Sequence, residues 1–172
     1  MHRFLQFAAK PGVMLMTALN SGVLLLWAFP RLPLGAPMLD VLPGYGIDEA
    51  RMLLAQYGEQ GRAVYALASP TLDSLLPICY ATFFAGALYR CLPSGQWRWV
   101  ALLPLAVAGW DLVENVQITL LLLQYPDISD LQIQLASWSS WLKARVLVPS
   151  LLLVTVLSLL WQVLDRIRSG RR

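Results

Sequence analysis

The stretch WRWVALLPLAVAGWDLVENVQITLLLL, residues 97–123, settles what kind of chain this is. It exceeds the ~20 residues that a helix needs to cross about 30 Å of hydrocarbon. Its apolar residues form a block rather than an alternation or a heptad. Yet Asp111, Glu114 and Asn115 lie near its centre. Ionisable groups in a membrane interior are penalised, so a spanning helix that keeps them marks those residues as candidates for function.

The rest of the chain has the same character. Of its 172 residues, 58% are hydrophobic and only 13% charged, against about 25% charged in an ordinary soluble domain. A soluble enzyme would lack the charged surface to cover itself. Three further apolar blocks accompany the first, at residues 13–29, 71–89 and 138–163. A signal peptide is the competing reading of 13–29, but the block is longer than a usual h-region and no A-x-A-like site follows it. The fold expected is therefore an all-α membrane protein, one membrane domain over residues 1–172, with four transmembrane helices in an antiparallel four-helix bundle. The block at 71–89 follows Ser69-Pro70, which reads as an N-cap and a first helical residue. The blocks at 97–123 and 138–163 are long enough to tilt or protrude.

Basic residues orient the bundle. With the N-terminus inside, Arg3, Lys10, Arg90, Arg98, Arg166, Arg168, Arg171 and Arg172 fall on the cytoplasmic side, against Arg31, Arg51 and Arg62 outside, eight to three. The expectation is a multi-pass inner-membrane protein with both termini cytoplasmic. The net charge of +3 then needs no nucleic-acid partner, because the Arg-rich tail lies against anionic membrane lipid. About forty residues separate the first two blocks. Their first half, with Pro30, Pro33, Pro37, Pro43 and Gly44, reads as a turn-rich strap. Their second half, about residues 48–68, reads as an external amphipathic helical segment, opened by Asp48 as N-cap and broken by Gly58 and Gly61.

Chemistry concentrates in the outer half of the bundle. At about 100° per residue, Asp111, Glu114 and Asn115 share one face. Lys143 matches Glu114 in depth, with Ser139, Ser140 and Ser150 on its side. Arg145 points about 200° away and is expected to reach for headgroups. Asp73, at the outer start of its block, shares a face with Tyr80 and Phe84. Pro77 and Pro149 free the carbonyls of Asp73 and Arg145. Three carboxyls against one ammonium cannot all ionise without uncompensated repulsion, so at least one is expected to hold a proton. Asp111 and Glu114 are the candidate catalytic groups, and Asp73, Tyr80, Asn115 and Lys143 the candidate binding residues. No cofactor is expected. The two cysteines, Cys79 and Cys91, have no redox or metal spacing, and the single histidine is His2. A metal site from Asp73, Asp111, Glu114 and Asn115 is admissible by charge alone.

The stretch YGIDEARMLLAQYGEQGRAVYALASPTLDSLLPICY (residues 45–80), followed by WDLVENVQ (110–117), resembles a group of small four-span bacterial integral membrane proteins with no activity assigned. The resemblance covers most of the chain and implies a four-helix topology. Lipoprotein signal peptidases share the size and the intramembrane acids, but their asparagine- and glycine-rich motifs are missing here. Sterol isomerase-like four-span proteins agree only in residue types. Three classes of function remain. The first is a pocket for a lipid or amphiphile, with Lys143 anchoring an anionic headgroup and Asp111 or Glu114 exchanging a proton. The second is a proton-coupled transporter, which would require a homo-oligomer because the chain has no internal repeat. The third is a structural or partner-binding subunit whose buried charges fix helix packing. Homo-oligomerisation is compatible with all three.

Overall fold

The computed structural model describes residues 2–92 and 96–169, without the side chains of residues 96 and 97. Arg171 and Arg172, counted above for orientation, lie outside the described residues. Among those described there is no strand. In chain order the helices are α1 (His2–Ala8), α2 (Pro11–Arg31), α3 (Ile47–Gln56), α4 (Gly58–Cys91), α5 (Arg98–Gln124) and α6 (Asp130–Ser169). Four of them, α2, α4, α5 and α6, are long and apolar enough to cross a membrane.

Two helices start well before the apolar blocks predict. Ser69 does not cap anything: α4 is already helical from Gly58, and its 34 residues span about 51 Å at 1.5 Å per residue. The helix survives Pro70 by opening into a wider π turn at Ser69–Asp73, which takes in the ring where an α turn would clash with the carbonyl four residues back. The Ser74 hydroxyl donates to the Ser69 carbonyl at 3.1 Å, and the Ser69 hydroxyl crosses to the Asn115 carbonyl at 3.1 Å. Likewise α6 begins at Asp130, not near Trp138. Its N-cap is Ser129, whose Oγ accepts the Gln132 N–H at 3.2 Å while the Gln132 side chain accepts the Ser129 N–H at 2.9 Å, a reciprocal capping box.

The segment between α2 and α4 also departs from expectation. Gly46, not Asp48, is the N-cap of α3, with the Glu49 carboxylate accepting its N–H at 3.3 Å. Asp48 sits instead in the first turn, where the helix dipole favours a negative charge. Gly58, at φ +64°, opens α4 with one residue between it and the end of α3. Gly61 breaks nothing; it lies inside α4, where a Cβ would come within 3.1 Å of the Leu34 carbonyl. Its lack of a side chain lets the strap lie close.

Buried apolar residues form two clusters. One joins the strap and α3 to α4, α5 and α6 through Leu39, Leu54, Tyr65, Ile118, Leu121 and Ile133. The other joins α1 to the opposite stretches of the same long helices through Leu5, Ala85, Leu88, Ala101, Val107 and Leu151. On each of α4, α5 and α6 a run of buried polar residues falls between the two. Residues 2–8 form a short helix, and it packs against α4 so closely that a Cβ on Gly86 would overlap the Ala8 carbonyl. Thr82 and Ala108 are buried as small packing residues, but a Cβ on Gly109 would meet nothing within 4 Å, so that position faces outward.

Candidate functional site

The polar layer is built by three helices and the strap. On α5, Asp111, Glu114 and Asn115 are 6%, 0% and 2% exposed, while Leu112 and Val113 between them are on the outside. Helical geometry alone puts the three on the inner arc. On α6, Ser139 and Ser140 are buried and Lys143 follows one turn later. There the helix widens into a π turn, Lys143–Leu147, closed by the Val148 N–H on the Lys143 carbonyl. This turn precedes Pro149, whose ring it accommodates. Arg145 is exposed, as its angular offset from Lys143 requires, and Ser150 is carried outward by the same widened turn, away from the side where it was expected. On α4, Tyr65, Ser69 and Asp73 are spaced by four and all buried.

Lys143 Nζ sits between two carboxylates, 2.9 Å from Asp111 Oδ1 and 2.5 Å from Glu114 Oε2. Each acid has a second partner. The Tyr80 hydroxyl donates to Asp111 Oδ2 at 3.0 Å, and the Ser140 hydroxyl donates to Glu114 Oε1 at 2.5 Å. Trp110 Nε1 donates to the Ser139 carbonyl at 3.2 Å and stacks edge-on against Trp138. An anionic headgroup would thus find Lys143 already enclosed by two carboxylates, which works against the anchoring role first expected of it. The ammonium occupies the position between the acids, and among the described residues no three His, Cys, Asp or Glu side chains are arranged to hold a metal ion.

Asp73 belongs to the layer but not to the Lys143 pair. It is 5% exposed and its Oδ2 has no hydrogen-bond partner among the described residues, and the strap brings a further acid, Asp40, to the Tyr65 end of the same helix face. Asp40 is not among the residues that the sequence singled out. The Tyr65 hydroxyl donates to Asp40 Oδ1 at 2.7 Å and so holds it over α4. The strap is fixed on either side of it. The Tyr57 hydroxyl donates to the Pro37 carbonyl at 2.5 Å. Ser137 Oγ accepts the Tyr45 N–H at 2.9 Å and donates to the Tyr45 carbonyl at 2.7 Å. Gly44, at φ +95°, permits the turn, and a Cβ there would lie 3.3 Å from Trp141 Cβ.

Tyr45 is the second residue that was missed. Its buried hydroxyl lies beside Ser140 and has no partner in good hydrogen-bonding geometry among the described residues. Burial, reinforced by the charges of Glu114 and Asp40, pushes that hydroxyl well above the usual tyrosine range, so it stays a neutral donor. Burial and Asp40 do the same to Tyr57. Asn115 completes the set: neither side-chain atom is hydrogen-bonded, although its carbonyl accepts from Ser69 and Thr119. It lines a groove of about 150 Å³ between α4 and α5 together with Pro70, Ser74, Val116, Thr119 and Leu120. Spacing shows that Tyr65 and Asp73, eight residues apart, share one helix face, but not that the Tyr65 hydroxyl meets Asp40. In comparisons with known proteins the chain matches no family model, no curated protein and no solved structure.

Proposed function

We propose that this chain is a four-span protein of the bacterial inner membrane, of the small four-helix group it resembles, and that its polar layer forms a pocket for the head of a lipid or amphiphile. The observation that carries the reading is the set of buried polar groups left without partners, Asp73 Oδ2, the Asn115 amide and the Tyr45 hydroxyl. They lie beside a network that is otherwise complete. Unpaired polar groups inside a protein cost of the order of 1–3 kcal/mol each, and a ligand head that met them would recover that.

An antiparallel arrangement is supported by the order in which the helices meet the two apolar clusters. Along α4 and α6 the strap-side cluster comes first in sequence, and along α5 it comes last. With the basic residues distributed eight to three, this favours cytoplasmic termini and an outward-facing strap. Lipid co-purifying with the protein, identified by mass spectrometry, tests the pocket: wild type should retain a discrete amphiphile that Asn115→Leu loses. Retention of only bulk membrane lipid, alike in both, would refute it.

A second reading has its own support. Tyr80, Asp111, Lys143, Glu114 and Ser140 satisfy one another across three helices, which is what a structural lock requires. On that reading the charges fix helix register and the chain serves as a subunit of a larger assembly.

A further inference from the structure

Beyond the polar layer, on the side away from the strap, α5 and α6 do not close on each other. Two cavities of about 520 and 310 Å³ meet at Leu103 and Val154 and form one trough between the helices. It runs from Trp110 on α5 to Trp99 and Trp161, with Leu92 of α4 at that far end. Among the described residues its polar side chains are Ser150 and Ser158, and the Ser158 hydroxyl already donates to the Val154 carbonyl at 2.7 Å. Such a trough takes hydrocarbon, not a head. From Trp99 to Trp110 it follows about 16–18 Å of helix axis at 1.5–2 Å per residue. That is about half of the ~30 Å hydrocarbon thickness, the depth of one leaflet.

The charges at the far end decide the occupant. Trp161 also borders a cleft of about 50 Å³ with Leu164, Asp165 and Arg168. Arg98 adjoins Trp99, and its guanidinium lies 5.2 Å from the ring centre of Tyr89, one turn before Leu92 on α4. Gln162 donates to the Arg90 carbonyl at 3.1 Å, which ties that level of α6 to the end of α4, and Arg166 follows one turn on. Arg90 itself turns its guanidinium away, to Met14 on α2. Asp165 is thus the acid set against Arg98, Arg166 and Arg168, and among the described residues none of the four is in an ion pair. A positive-inside bias accounts for arginines at this end; it does not account for an apolar trough that ends among them.

We propose that the trough is a binding site for one anionic phospholipid of the leaflet on that side, with an acyl chain between α5 and α6 and the phosphate among Arg98, Arg166 and Arg168. The site lies apart from the polar-layer pocket and stands or falls without it. Guanidinium and phosphate form charge-assisted, often bidentate hydrogen bonds. A zwitterionic head brings its own cation to the arginines, and an anionic head does not. Trp99 and Trp161, 61% and 55% exposed, stand where tryptophan meets headgroups.

The test places the full chain in phosphatidylcholine nanodiscs. A minor fraction of phosphatidylglycerol or, in parallel, of phosphatidylcholine carries a photoreactive diazirine on one acyl chain, and cross-links are mapped by mass spectrometry. The phosphatidylglycerol probe should label Leu103, Val154 and Leu157 about fivefold or more over Leu15 and Leu19 of α2, which are 60% and 56% exposed. Arg98→Gln combined with Arg168→Gln should remove that enrichment, whereas Arg31→Gln, at the strap-side end of α2, should keep it. Leu103→Trp, which fills the trough where its two parts meet, should lose the labelling with the arginines intact. The arginine variants lie near helix ends and report on the site even if Leu103→Trp folds poorly. Equal labelling of the trough and α2 would overturn the site. Enrichment that is the same for phosphatidylcholine, or that survives loss of both arginines, would overturn the selection of an anionic head.

Discussion

Among single residues, Lys143 is the side chain on which the layer turns. It is 14% exposed at the side chain and bridges Asp111 and Glu114. Removing the amine leaves two carboxylates facing each other, and breaking a buried pair in this way costs about 3–5 kcal/mol. Lys143→Met should therefore lower the thermal midpoint in detergent sharply, and adding Glu114→Gln should restore much of it by taking away the charge left behind. Arg145→Met, at an exposed position, should change stability by no more than about 0.5 kcal/mol. Equal losses for the two single variants would show that the ion pairs carry no weight. The inward facing of Asp111, Glu114, Asn115 and Lys143 was legible because angle along a helix is local arithmetic. The place of Asp40 was not. It comes from a strap with no period, and only the folded course of that strap brings it to the Tyr65 hydroxyl.

Among the helices, close packing is concentrated where α1 meets α4. Gly86 is the contact: any Cβ would overlap the Ala8 carbonyl, and backbone cannot move aside as a flexible side-chain end can. Gly86→Leu should destabilise the protein by about 1–3 kcal/mol, the range for overpacking, whereas Gly109→Leu, with open space around it, should leave the thermal midpoint unchanged. A Gly109 variant as damaging as the Gly86 one would place a partner helix on that face. This contact was not legible in the sequence, because a seven-residue N-terminal helix carries too few turns to show a period. Helix starts were misjudged for a related reason. Ser-Pro is an ordinary way to begin a helix, and nothing local distinguishes it from a proline absorbed by a π turn, where the Ser74 and Thr71 hydroxyls donate to the Ser69 and Leu67 carbonyls.

For the molecule as a whole, the division into two apolar clusters and a polar layer has a consequence for the surface. Only 6% of the apolar window of α2 is buried inside the molecule, and 17% of that of α6. Leu15, Leu19 and Leu26 on α2 and Leu152, Val156 and Leu160 on α6 are all exposed. An apolar surface of that extent, on helices long enough to span, needs lipid or a partner protein to cover it. Block length made the four helices legible, since an apolar run of ~20 residues has few other uses. The polar layer's chemistry was legible only in outline, since residue type and depth follow from sequence while convergence does not. The four-span reading makes a definite prediction in a background lacking Cys79 and Cys91, the two free cysteines. Single cysteines at Gln56 and Asp127, both exposed beyond the apolar windows, should react with a membrane-impermeant thiol reagent added to intact spheroplasts. Cysteines at Lys10 and Ser169, equally exposed, should react only after the membrane is opened. Labelling at Ser169 from outside would leave an odd number of crossings, remove the basis for cytoplasmic termini, and turn the strap with Asp40 away from the side on which an amphiphile of the outer leaflet could reach it.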